Sequence, residues 1–102
     1  MLTIEAKLAK SFLDRLLGLI SPNNPRTMFF ETRFGLHTFF LEQPIDILVL
    51  DFEHKVKVLK HSLSPNHFFF YPPAYKYVLE LPEGYIKDNH VKLDDKINLC
   101  LT

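Results

Sequence analysis

Ile45-Asp46-Ile47-Leu48-Val49-Leu50 is followed by Asp51-Phe52-Glu53-His54 and then by Lys55-Val56-Lys57-Val58. The first six residues are almost continuously apolar and rich in branched side chains, the pattern of a central strand buried on both faces. The next four are turn formers. The last four alternate strictly, so one of their faces meets water. Together they predict a hairpin at the heart of a β-sheet.

Working outward, short strand patterns recur on both sides. Towards the N-terminus, Gly35 to Phe40, Thr27 to Phe30 and an edge strand over Leu2 to Ala6 are expected. Towards the C-terminus, Ser62 to Pro73 reads as a loop carrying Phe68-Phe69-Phe70-Tyr71-Pro72-Pro73. Tyr75 to Leu81 reads as a strand closed by Pro82-Glu83-Gly84, and Asn89 to Leu93 and Ile97 to Leu101 as the last two strands.

The period changes only near the N-terminus. Leu8, Phe12, Leu16 and Ile20 form one i,i+4 row, and Ala9, Leu13 and Leu17 the adjacent one. Lys10, Ser11, Asp14, Arg15 and Gly18 fall opposite. This split predicts an amphipathic helix over much of residues 9 to 20, stopped by Ser21-Pro22-Asn23-Asn24-Pro25. The expected fold is therefore mainly β, of α+β type. It is an antiparallel β-sandwich or partly closed barrel of six to seven short strands with one N-terminal helix packed on it.

A chain of 102 residues is one domain by length, here residues 1–102. Twelve basic side chains balance twelve acidic ones, and no Lys/Arg run builds a basic patch, so no nucleic-acid or anionic-membrane partner is expected. The start Met1-Leu2-Thr3-Ile4-Glu5 lacks the regions of a signal peptide, and no apolar run is long enough to span a bilayer. A cytoplasmic location is the expectation. Cys100, the lone cysteine, cannot close an intramolecular disulfide and reads as a small buried hydrophobe.

The chain resembles the domain-of-unknown-function 192 family. The likeness runs from about Ala6 to Leu99 and rests on ordered pieces. These are Arg15-Leu16-Leu17-Gly18-Leu19, Met28-Phe29-Phe30, His37-Thr38-Phe39, Gln43-Pro44-Ile45-Asp46 and Val78-Leu79-Glu80-Leu81-Pro82-Glu83-Gly84. Two departures show: Leu41 stands where the family usually has Met, and Asp94 where it usually has Gly. The resemblance implies a β-rich fold and no established activity.

His37, Thr38, Asp46 and Glu80 are the polar residues that these motifs set beside apolar strands, with Arg15 on the polar helix face. Three readings compete for this candidate cluster, one of them a ligand-binding site of some other kind. His37, Asp46 and Glu80 could act as acid and base in a hydrolase-like enzyme if they converge. Otherwise they are satisfied internally: His37 and Thr38 bonded to a neighbouring loop, Asp46 capping backbone N–H groups, and Glu80 paired with Arg15 or a lysine. No HxH, HxxxH or CxxC pair is present, so neither a metal nor a cofactor is expected. No nucleophile elbow or phosphate-cradling glycine loop appears.

Phe68, Phe69, Phe70 and Tyr71 form the candidate interface. Consecutive side chains of an extended segment face opposite ways, so at least one ring must find another surface. The favoured reading is a non-catalytic binding or interaction module for a small molecule or protein, with a possible weak homodimer. A structural accessory without a ligand is the third reading.

Overall fold

The computed structural model describes residues 1–8, 27–33, 35–38 and 41–101. Among the described residues the strands are β1 (Leu2–Leu8), β2 (Met28–Glu31), β3 (Gly35–His37), β4 (Ile45–Leu50), β5 (Val56–Leu63), β6 (Phe68–Phe70), β7 (Tyr77–Pro82) and β8 (Ile97–Leu101), with a short helix, α1 (Tyr85–Asp88), between β7 and β8. Six strands form a sheet in the order β5-β4-β7-β2-β1-β8, and β3 and β6 form a separate two-stranded ribbon. The chain is mainly β, as its patterning requires.

All six residues of β4 are buried, and β4 sits between β5 and β7, antiparallel to both. Asp51 shapes the turn after it. One carboxylate oxygen accepts the Glu53 and Lys55 amides at 2.9 and 3.0 Å, and His54 takes a φ of 63°. A side chain that mimics a backbone turn replaces glycine here.

The sheet curls until its edge strands meet. Val56 N–H donates to Asp95 O at 2.9 Å, Ile97 N–H donates to His54 O at 2.9 Å, and Lys55 bridges Lys96. A closed end makes this a half-barrel rather than a flat layer. Its interior holds Ile4, Ala6, Phe29, Leu48, Leu50, Leu79, Leu81 and Ile97, capped by Ile86 of α1 and by Val91. The outer face carries a second core of Met28, Phe30, Ile45, Ile47, Val49 and Val78, covered by Leu36, Leu41, Phe69 and Tyr71. Period-two alternation along each strand divides the apolar residues between these two cores.

Several expectations are corrected. The sheet is mixed, because β1 runs parallel to both β2 and β8. Parallel neighbours cannot be joined by a tight turn, and such long connections leave no local signal of strand direction. For the same reason β1 is an interior strand and not an edge. Leu8, read as the start of the helical rows, closes β1 opposite Phe29. The expected helix over residues 9 to 20 lies outside the described residues.

Asn89 to Leu93 is not a strand. It leaves α1 through hydrogen bonds from Asn89 to Tyr85, His90 to Lys87 and Val91 to Ile86, with His90 at a φ of 54°. Its alternation reflects one buried plug, Val91, beside an exposed Leu93. The expected loop over Ser62 to Pro73 instead contains β6, with β5 running on to Leu63.

Candidate functional site

Adjacent strands settle which candidates share a face. Paired residues in a sheet point to the same side, and successive residues to opposite sides. Asp46 is opposite Leu81, and Glu80 is opposite both Ile47 and Met28. Asp46 therefore faces the barrel interior with Leu81, whereas Glu80 faces the outer core with Ile47 and Met28. Both carboxylates are fully buried. Separate sides of one sheet give them no common site.

Asp46 is fully engaged with backbone. Its Oδ1 accepts the Ser62 amide and its Oδ2 the Ile86 amide, each at 2.9 Å. The first bond holds the β5 bulge, where Ser62 has a φ of 50° and the β4–β5 register shifts. The second pins the first turn of α1 over the barrel. One carboxylate so ties β4, β5 and α1 together, and none of its hydrogen bonds goes to His37.

Thr38 is buried beyond the end of β3 and clamps the loop before β6. Its hydroxyl donates to Ser64 O at 2.7 Å and accepts the His67 amide at 3.0 Å. Its own backbone donates to His67 O and accepts the Asn66 amide, at 2.9 and 3.0 Å. His37 is half-buried and pairs with Phe68 across the ribbon. Arg15 lies outside the described residues. Among those residues, no group of three or more His, Cys, Asp or Glu side chains is placed to hold a metal ion.

The Ser62, Ser64, Ile86 and His67 backbone partners have no signature in the sequence. They are main-chain groups 16 to 40 positions away from the side chains they satisfy.

The aromatic tract divides by parity. Phe69 pairs with the buried Leu36 and packs on the outer core, and the buried Tyr71 hydroxyl donates to Thr32 O. Phe68 and Phe70 turn outward, 60% and 73% exposed, with near-parallel rings whose centroids are 5.9 Å apart. Gly35 makes room for this arrangement. A Cβ there would meet Phe69 O at 2.5 Å and the Phe70 ring at 2.9 Å.

Two further surface features are separate from these residues. An open groove of about 330 Å³ is lined by Met1, Leu2, Asn89, Asp95 and Lys96. At the hairpin turn, Lys57 Nζ lies 2.7 Å from Asp94 and 4.0 Å from Asp51. The hydrogen bond and charge of Lys57 hold the Asp94 carboxyl below its usual range, and Asp94 raises Lys57 in return. Asp94 has a φ of 69°, which explains why glycine suits the position. Cys100, expected to be buried, is exposed opposite Glu5 on the outer side of β8.

Known proteins agree with this fold. The chain is 33% identical to a UPF0127 protein of Thermococcus sibiricus over 94% of its own length and 66% of that protein, just under two thirds. It is likewise 33% identical to a UPF0127 protein of Pyrococcus abyssi over 91% of its length and 84% of that relative. A crystal structure of a protein of unknown function from Novosphingobium aromaticivorans aligns with a TM-score of 0.68 at 16% identity, covering 92% of this chain and 71% of that one. A crystal structure described as that of a putative transcription regulator from Sinorhizobium meliloti aligns with a TM-score of 0.71 at 18% identity, covering 92% of this chain and 78% of that one. At such identities the two structures speak for the fold alone. Residues 1–99 match the DUF192 family, described as Uncharacterized ACR, and the chain belongs to that family.

Proposed function

We propose that the protein is a non-catalytic interaction module that presents the outward face of the β3–β6 ribbon to an apolar surface of a protein partner. The carrying observation is the Phe68–Phe70 pair, two near-parallel rings held in water beside Gly35. Exposed aromatic surface is costly in water and gains most when a partner covers it. Two rings offer far less than the roughly 800 Å² per partner of a standard interface, which fits a reversible contact. The division of Asp46 and Glu80 between two faces counts against a shared acid–base site.

A photo-crosslinking side chain at position 70, tested in host cells against the same group at the isolated and 81% exposed Phe52, examines this reading. A discrete adduct from position 70, absent from position 52 and lost with Phe68→Ser, is expected. Equal labelling from both positions, or hydrolase activity that disappears in Asp46→Asn without loss of folding, would overturn it.

A further inference from the structure

The two edges of the curled sheet are built differently. The free side of β5 is guarded: Lys57, Lys60 and His61 lie along it, Ser62 sits in a bulge, and the register with β4 shifts twice. Such charges and bulges are how sheets stop neighbouring chains from adding strands. β8 has none of them. It pairs with β1 over five consecutive residues without a register shift, and Ile97-Asn98-Leu99-Cys100-Leu101 contains no Lys, Arg, Asp, Glu or Pro. Beyond the bond of Ile97 to His54, no described residue pairs with its other side. Asn98, Cys100 and Leu101 are exposed there, as is Leu8, which shares the face of Leu101.

We infer that the β8 edge is the homodimer contact: β8 of one copy pairs antiparallel with β8 of a second, extending the sheet across a two-fold axis. An uncharged edge of alternating apolar and small polar residues accepts a strand of the same kind, and β8 itself is such a strand. Antiparallel self-pairing is isologous, so it closes at two copies. Antiparallel ladders are also slightly more stable per residue than parallel ones. With zero net charge the copies approach without repulsion. Five paired residues bury little area, so the dimer is weak.

Sedimentation equilibrium on the full chain, with amide hydrogen exchange over Asn98 to Leu101, tests this. Wild-type protein should associate as concentration rises, and those amides should exchange more slowly as it does. Cys100→Lys, at an exposed position opposite Glu5, should keep the melting temperature and weaken the dimer about tenfold by placing like charges across the axis. Asn98→Lys is the second variant should the first fail to fold. Phe68→Ser with Phe70→Ser should leave the dimer intact. A strictly monomeric wild type, association unchanged in both lysine variants, or a dimer lost only in the double variant Phe68→Ser with Phe70→Ser would overturn the inference.

Discussion

Asp46 and Glu80 lie on neighbouring strands yet face opposite sides of the sheet, because Asp46 is opposite Leu81 while Glu80 is opposite Ile47. A one-residue offset in an antiparallel ladder separates two buried carboxylates that the sequence places in equally suggestive motifs. Asp46 is left as a structural tie and Glu80 as a member of the outer core.

Asp46→Ala should remove the acceptor for two backbone amides, the buried one of Ile86 and the part-buried one of Ser62. The expected cost is about 2–5 kcal/mol in urea unfolding. Asp46→Asn should cost less, since its carbonyl oxygen still accepts one of the two amides. Equal stability of Asp46→Ala and wild type would contradict the tie.

Thr38→Val keeps the shape of the side chain and removes the hydroxyl that bridges Ser64 O and the His67 amide. A loss of roughly 1–3 kcal/mol is expected, with Thr38→Ser recovering most of it. If Thr38→Ser is no better than Thr38→Val, the methyl group rather than the hydroxyl is what matters.

Gly35→Ala should push the Phe69 carbonyl or the Phe70 ring out of place, because neither contact leaves room for a Cβ. Destabilisation of about 1–3 kcal/mol is expected, with aromatic NMR shifts confined to the ribbon. An alanine variant with wild-type Phe70 resonances would show that the ribbon yields easily.

Lys57 and Asp94 form an exposed pair whose contribution is bounded by pH. Asp94 is depressed below 3.8, so its contribution is present above that value and is lost as pH falls through the lower folded value. Lys57 is raised above 10.5, so its contribution is intact below that value and lost as pH rises through the higher folded one. Melting curves should therefore show Asp94→Asn differing from wild type in the neutral range and converging with it at acid pH. The difference should shrink in high salt. Asp94→Gly should recover part of the loss by relieving the left-handed backbone. A difference that persists in strong acid would argue that the pair is not its source.

Local chemistry makes β4 and its hairpin legible in the sequence. Five branched apolar residues among six, interrupted only by Asp46, admit few alternatives, and Asp51 supplies its own turn. Alternation in Phe68–Tyr71 likewise foretold that rings would divide between two sides, because pleating is a property of one strand. Asn89 to Leu93 misled for the converse reason. Short apolar alternation arises equally from a strand and from a turn with one plugged side chain, and only packing separates them.

What the sequence by itself determined is most of the extended segments, β2, β4, β5, β7 and β8 among them, and the family. Tertiary structure alone decided the parallel placement of β1 between β2 and β8, the closure at Lys55 and Lys96, and the partners of Asp46 and Thr38. Each of those depends on contacts between residues far apart along the chain. Strand direction, register and backbone acceptors at such range are set by the collective packing of two cores, and no short window of residues carries them.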